Sequence, residues 1–489
     1  MKNIQSILMR STLAATLLII SGCSDFLDKA PLGKITSDNA FQTEEDAVLA
    51  TNAIYNVLRN WEVHVFSYVG CTDIISDDSD KGSTPTDANF LDEIDNFQFA
   101  AGNVAPFTLW QGYYKAIFRA NIAIEKIPEI EMNAELKERL LAEAKFFRGY
   151  FYFNLVRWFG ELTIITKQLA SSEFKQVKRP VADVYAQIIQ DLTEAAAVLP
   201  SSYSTNLDKG RVTSGTAHGM LARVYMTMGD WTKCEAQALE VINSGKYSLY
   251  PKYDQIFLLQ GELSSESVFE VVAGAFDVGN GGSQFNEVQG ARGTPNLGWG
   301  FNRPSDNFVK EFETKDPRRE ATILGVGETL PDGSAIVEDN PEVFGERYNQ
   351  KAWVPKQVTG NGNGPGNIRI MRYSDVLLMA AEAMNENGKP TEALTYLNAV
   401  RLRARGTSST ILPDVTTTVQ ADLRAKIWHE RRVELGMEQI RWFDLLRQKR
   451  AGEVMRLVGK NFVDNKHELL PIPQSEIDIS GTLIQNNGY

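Results

Sequence analysis

Two segments without helical periodicity combine aromatic rings with polar side chains. Apolar faces of sugar rings stack on tryptophan and tyrosine, while Asp, Asn and Arg exchange hydrogen bonds with vicinal hydroxyls. Such a combination predicts a glycan site, with the tryptophans as stacking platforms and the aspartate and arginine as hydroxyl partners. The predicted site residues are Trp61, Tyr68, Asp73, Trp299, Phe301, Asn302 and Arg303. The competing interpretation is that each ring only fills a contact between parts of the fold.

A run of carboxylates follows the first of these segments. Asp77, Asp78 and Asp80 stand close to Gly82, and hard cations such as Ca²⁺ take oxygen ligands from irregular loops. However, Lys81 occupies a position where an EF-hand needs an oxygen ligand, and no glutamate follows at the twelfth position. The run is therefore a weak calcium candidate, and a solvated acidic loop is the preferred interpretation.

Recognisable catalytic motifs are missing from the sequence. The four histidines, His64, His218, His429 and His467, form no His-Glu-x-x-His pattern, and neither a Gly-x-Ser-x-Gly elbow nor a phosphate-binding Gly-Lys-Ser/Thr run occurs. A glycosidase pair cannot be identified from sequence, because 62 acidic residues always supply candidates. We expect a binding protein with no cofactor and no catalytic residue.

The charge balance disfavours a nucleic-acid partner. The chain has 50 basic and 62 acidic residues, a net charge of −12, and its densest arginine runs are interleaved with apolar residues at helical spacing. Apart from Cys23, only Cys71 and Cys234 are present. These are too few for a disulfide scaffold, so we predict two isolated buried thiols; a single disulfide between them is the alternative.

The N-terminus carries the pattern of an exported lipoprotein. Lys2 and Arg10 precede a short apolar run that ends at Ile20-Ser21-Gly22-Cys23, which predicts a signal peptide over residues 1–22. Cys23 would become the first mature residue and carry acyl chains such as palmitate, which anchor the protein to a membrane. An ordinary secretory peptide with an incidental cysteine is the alternative.

Helical periodicity dominates the rest of the chain and occurs in pairs. Residues 214–244 and 373–404 each predict two helices joined at a glycine, Gly229 or Gly388. Residues 44–61 with 108–127, and 134–158 with 181–199, predict two more pairs. Four such hairpins resemble tetratricopeptide repeats. Helix 134–158 is apolar on almost every face and should be central, and Trp110, Tyr113 and Tyr114 should also be interior.

Two long segments separate the helical pairs, at about residues 62–107 and 245–370. The second is rich in Gly and Asn and contains a β-like run at residues 267–273, which predicts an irregular lobe over a helical scaffold. The proline-rich residues 469–473 predict an extended strap that packs back on the fold.

Short runs along the whole mature chain match one known family. In the N-terminal half they are residues 25–28 (DFLD), 119–121 (RAN), 142–148 (AEAKFFR) and 221–225 (LARVY). In the C-terminal half they are residues 316–318 (DPR), 372–383 (RYSDVLLMAAEA), 430–435 (ERRVEL), 441–445 (RWFDL) and 470–473 (LPIP). The chain resembles the SusD/RagB family of outer-membrane nutrient-binding lipoproteins.

The resemblance implies a mainly α fold in which four tetratricopeptide-like hairpins support a loop-rich lobe with short strands. It implies a single SusD-like domain over residues 23–489, with an N-terminal region at about 23–245 and a C-terminal region at about 246–489. It also implies a cell-surface, outer-membrane location and a SusC-like TonB-dependent barrel as partner, to which oligosaccharide is delivered. Peptide or another nutrient is the alternative cargo. Glu430, Arg431, Arg432, Arg441 and Asp444 should form ion-paired helix contacts.

Overall fold

The computed structural model describes residues 41–274, 282–292, 296–336, 347–355 and 364–489. In the first half the helices are α1 Glu44–Val57, α2 Trp61–His64, α3 Phe66–Val69, α4 Asn89–Asp95, α5 Val104–Lys126, α6 Ala134–Phe159, α7 Val181–Val198, α8 Ser214–Met228 and α9 Trp231–Asn243. In the second half they are α10 Phe285–Gln289, α11 Asp306–Val309, α12 Arg318–Thr322, α13 Tyr373–Glu386, α14 Pro390–Arg405, α15 Gln420–Leu435, α16 Arg441–Arg447, α17 Ala451–Leu457 and α18 Gln474–Ser480. The fold is mainly helical, as predicted.

Side-chain caps fix where the long helices begin. Thr43 and Asp46 form a reciprocal capping box at the start of α1, and Asn103 and Asn133 accept bonds from backbone N–H groups in the first turns of α5 and α6. These oxygens satisfy donors that have no partner within the helix. The sequence therefore encodes the helix starts locally.

The predicted helix pairs pack against each other. α8 contacts α9 and α13 contacts α14, and α1 contacts α5 while α6 contacts α7. Gly229 and Gly388 adopt φ of 75° and 74° where α8 and α13 end, a left-handed conformation that glycine adopts readily. All four pairings are confirmed. The likeness of these pairs to tetratricopeptide repeats is consistent with this packing and stays a prediction.

Helix α6 is the centre of the core. Phe146, Phe147, Phe151, Phe153 and Phe159 are completely buried along it, which confirms the prediction from its apolar faces. Free Cys71 and Cys234 are also buried and unbridged, as predicted.

Among the described residues, three two-stranded antiparallel sheets form the irregular lobe. β1 (Ser79–Gly82) pairs with β3 (Phe301–Pro304), β2 (Ser267–Val271) with β6 (Ile368–Arg372), and β4 (Ile323–Gly325) with β5 (Arg347–Asn349). The β-like run at 267–273 is thus a strand over most of its length. Because β1 and β3 come from distant parts of the chain, their pairing ties the first loop to the second.

The C-terminal strap packs back on the central helix. Leu470 donates its backbone N–H to the Trp158 carbonyl at 2.7 Å, and Ile472 is completely buried. This confirms the predicted strap. Among the described residues, none of the helices is both long and apolar enough to span a membrane.

Candidate ligand-binding site

The two predicted segments meet in one aromatic cluster. The Trp61 ring centroid lies 4.9 Å from that of Phe66 and 5.9 Å from that of Trp299. Phe66 also packs on Phe301, with centroids 4.8 Å apart. Residues from the start of the first loop and from the strand β3 region are therefore brought together.

A glycine turn positions Trp299. The Trp299 N–H donates to the Glu287 carbonyl at 2.8 Å, and the Gly300 N–H donates to the Gly290 carbonyl at 2.9 Å. A Cβ on Gly298 would lie 2.1 Å from the Glu287 carbonyl oxygen. Only glycine allows this close approach of two backbone segments, so Gly298 fixes the direction in which the Trp299 ring projects.

Accessibility separates the members of this cluster. Trp61 and Trp299 are half-buried, so part of each residue is open to solvent. Phe301 is only 4% exposed, so the prediction that it contacts a ligand is corrected. It packs on Phe66, which in turn contacts both tryptophans. Trp61 and Trp299 remain the candidates for stacking on a ligand.

Tyr68 belongs to the core. Its ring packs edge-on against His64 and Trp158, with centroids 4.8 and 5.9 Å apart, and its burial raises the pKa of the phenol to about 12. The ligand role predicted for Tyr68 is therefore corrected. Tyr68 lies in the same segment as Trp61, and the sequence did not indicate that α3 directs the Tyr68 side chain into the core.

Asp73 and Asn302 form a buried polar junction. Asn302 Nδ2 donates to Asp73 Oδ2 at 3.0 Å, and Gln439 donates to the same carboxylate through its backbone N–H at 3.0 Å and its Nε2 at 2.8 Å. Both residues have no solvent exposure, and burial raises the pKa of Asp73 to about 6. The sequence correctly placed them together, but they join three parts of the chain and are not exposed hydroxyl partners.

Arg303 remains accessible at the edge of the site. It stands opposite Asp80 in the β1–β3 ladder, and its Nη2 lies 2.6 Å from Asp80 Oδ2. The side chains are 26% and 36% exposed. A ligand hydroxyl can therefore approach this pair, and Arg303 remains a candidate ligand-binding residue.

The acidic run is neutralised by arginine. Although burial opposes ionisation, Arg441 and Arg432 lower the pKa of Asp77 to about 2, and Arg432 Nε lies 2.7 Å from Asp78 Oδ1. Asp77 and Asp78 are buried, while Asp80 pairs with Arg303. Both the calcium interpretation and the solvated-loop interpretation are corrected, because guanidinium groups supply the positive charge.

The family landmark residues form ion pairs, as predicted. Arg431 binds both Asp375 and Asp444, and Glu430 pairs with Arg318 and Arg401. These contacts lie in the interior and tie α15 to its neighbours.

One further group of the described residues has its ligand atoms close enough for a metal ion: Glu313, His429 and Glu430. Arg401 Nη1 lies 2.8 Å from Glu313 and 2.7 Å from Glu430. His429 Nε2 is 2.9 Å from the Glu311 carbonyl. Since a guanidinium already bridges the two carboxylates, the group is an ion-paired contact.

A second surface feature was missed in the sequence. Trp110, Tyr114 and Phe118 line a groove of about 610 Å³ between α5 and the C-terminal helix α18, with Phe174 and Ile479 on its other sides. Phe174 and Ile479 are 63% and 81% exposed. Trp110 is buried and Tyr114 half-buried, so the predicted interior position holds for the first and only partly for the second. Trp110, Tyr114 and Phe118 are spaced four residues apart, which places them on one face of α5, and this spacing could have indicated the groove.

Comparison with known proteins identifies the family. Residues 25–226 match a family model described as starch-binding associating with outer membrane, and residues 265–489 match the model of the SusD family. SusD-like protein P2 of Formosa agariphila is 30% identical over 508 residues, which covers 98% of this chain and 99% of the relative. The chain belongs to the SusD family. A SusD-like protein of Bacteroides ovatus is 27% identical over 478 residues, covering 90% of this chain and 83% of the relative.

Solved SusD-like structures share this fold. A laminarin-binding SusD-like protein is 29% identical with a TM-score of 0.78, over 92% of this chain and 100% of that chain. Surface glycan-binding protein A from Bacteroides thetaiotaomicron, in complex with laminarihexaose, is 26% identical with a TM-score of 0.77, over 91% and 100%. The predicted signal peptide 1–22 and Cys23 lie outside the described residues.

Proposed function

We propose that this SusD-family protein captures an oligosaccharide or polysaccharide at the cell surface and delivers it, uncleaved, to a SusC-like TonB-dependent outer-membrane transporter. An acyl anchor on Cys23 holds it at the outer membrane. The observation that carries the proposal is the pair of half-buried tryptophans, Trp61 and Trp299, whose rings meet at the junction of the two loops. The laminarin and laminarihexaose bound by similar proteins support a glycan as ligand.

The geometry of the pair favours an extended ligand. The two indole planes are inclined by 56° with centroids 5.9 Å apart, so one face of a single sugar ring cannot stack on both. Two successive sugar rings of a bent chain can stack on them, one on each indole. Arg303, beside Asp80 at the same edge, offers N–H donors to the hydroxyls.

Affinity electrophoresis and calorimetry test the ligand, beginning with laminarin and continuing across plant, microbial and host polysaccharides. Trp299→Ala should weaken binding by about 10-fold or more, since buried aromatic anchors dominate such contacts. Trp231→Ala, which removes a half-buried tryptophan from α9, is the matched control and should bind normally. Product analysis in the same samples should find the glycan intact.

If the protein binds none of the glycans tested, a glycan as the ligand is refuted. Binding of peptides in that case would support the alternative cargo, a peptide or another nutrient delivered by the same kind of import complex.

The delivery step needs a docking surface, and the groove beside α5 is our candidate. Contiguous exposed apolar side chains mark interaction sites on soluble proteins, and Phe118, Phe174 and Ile479 are such side chains on its rim. Phe174→Glu should reduce co-purification with the transporter and leave glycan affinity unchanged. Leu207→Glu, at a residue that is 95% exposed and does not line this groove, is the control and should co-purify normally.

A further inference from the structure

A small polar cavity lies beside the C-terminal half of α6, and neither Trp61 nor Trp299 lines it. Arg157 of α6 and Arg223 of α8 line it, together with Tyr68, Tyr150 and Asn154, and its volume is about 20 Å³. A space of this size holds one water-sized particle. A halide ion is only slightly larger.

Arg157 is a cation without a counter-charge. Its Nε donates to the Phe153 carbonyl at 3.2 Å and its Nη2 to Asn154 Oδ1 at 2.7 Å. The guanidinium carbon lies 3.6 Å from the centroid of the Phe443 ring. Within the part of the chain that the structure describes, no carboxylate forms an ion pair with it. Burial, and to a smaller degree the like charge of Arg223, lowers the pKa of Arg157 to about 10.

Arg223, another lining residue, carries a buried donor without a partner. Its Nη2 is bound to Asp375 at 2.6 Å and to the Ile370 carbonyl at 2.9 Å. Its Nε is buried and has no hydrogen-bond partner among the described residues. Arg223 is only 8% exposed, so this donor cannot turn to bulk water.

The carboxylates around the cavity are already committed to other cations. Asp444 accepts bonds from Arg431 and Arg447. Glu438, the other acidic residue of the lining, is bound by Arg372 and Lys351. Arg223, Arg431 and Arg447 in the lining are each paired with a carboxylate. Among the described residues, Arg157 is therefore the lining cation that no carboxylate balances.

We propose that this cavity is a binding site for a small monovalent inorganic anion, chloride in size and charge, held between Arg157 and Arg223. Arg157 is half-buried, and an anion there would neutralise its guanidinium and accept a hydrogen bond from the buried, unpaired Nε of Arg223. Bound there, it would join α6 and α8 to the Phe443 end of α16.

Bromide, which gives an anomalous X-ray signal, is the direct probe. Crystals of the protein soaked in sodium bromide should show an anomalous peak in contact with both guanidinium groups. In solution, replacing gluconate, which is too large for the cavity, by chloride at constant ionic strength should raise the melting temperature by about 1–2 °C. Arg157→Gln should abolish this difference.

Arg450→Gln is the matched control, because Arg450 stacks on Trp428 at 5.5 Å and does not line the cavity; it should keep the chloride response. A cavity that gives no bromide peak would overturn the proposal. So would an equal chloride response in the wild-type protein and Arg157→Gln. If Arg157→Gln fails to fold, the bromide experiment on the wild-type protein still decides the question.

Discussion

Replacing Asp73 by Asn should change how stability depends on pH. Burial raises the pKa of Asp73 from 3.8 to about 6 in the folded protein. Between these values the folded state binds more protons than the unfolded state, so the free energy of unfolding falls as pH rises. The contribution of Asp73 is thus most favourable below pH 4 and is lost as pH rises through about 6.

The magnitude follows from the size of the shift. A displacement of about 2 pKa units corresponds to about 3 kcal/mol in total, of which about 1 kcal/mol falls between pH 5 and pH 7. Urea unfolding followed by tryptophan fluorescence measures this quantity at both pH values. Asp73→Asn should flatten the pH dependence of the unfolding free energy by about 1 kcal/mol over that interval.

A variant of an exposed carboxyl, Asp478→Asn, should keep the pH dependence of the wild-type protein. If Asp73→Asn and the wild-type protein lose the same stability between pH 5 and pH 7, the carboxyl does not titrate in that range. The raised pKa of Asp73 would then be refuted.

Two further predictions concern the frame around the tryptophans. Gly298→Ala should weaken glycan binding by 10-fold or more, because its Cβ would meet the Glu287 carbonyl at 2.1 Å and displace Trp299; Gly102→Ala, which meets nothing within 4 Å, should be neutral in the same assay. Asp77→Asn should lower the unfolding free energy by about 3–5 kcal/mol in urea titrations, because it leaves the Arg432 and Arg441 side chains short of a counter-charge. EDTA should not change the melting temperature of the wild-type protein.

The sequence predicted the helical frame well because its signals are local. Helix pairs joined at Gly229 and Gly388, and the caps at Thr43 and Asn133, depend only on neighbouring residues. The buried helix α6 was predictable from its apolar faces alone. The family resemblance added the overall architecture.

The site was only partly predictable because accessibility is a property of the packed molecule. The residue types around Trp61 and Trp299 predicted that the two loops meet, and their rings do pack together. Nothing local indicated that Asp73 would face Gln439, which is 366 positions away. The arginines that neutralise Asp77 are equally remote in sequence, so an acidic run read alone suggested calcium.

These long-range contacts divide the candidate site into a frame and a platform. Asp77 anchors the first loop to arginines of α15 and α16, while Asp73 and Asn302 join that loop to β3 and to the turn at Gln439. The frame is buried and charged, so changes there should cost stability first. The tryptophans of the platform are only half-buried, so removing one should cost affinity with a smaller loss of stability than a change in the frame. Because the frame is held by buried ion pairs and hydrogen bonds that do not involve Trp61 or Trp299, the tryptophans can be changed without breaking the contacts that hold the loops.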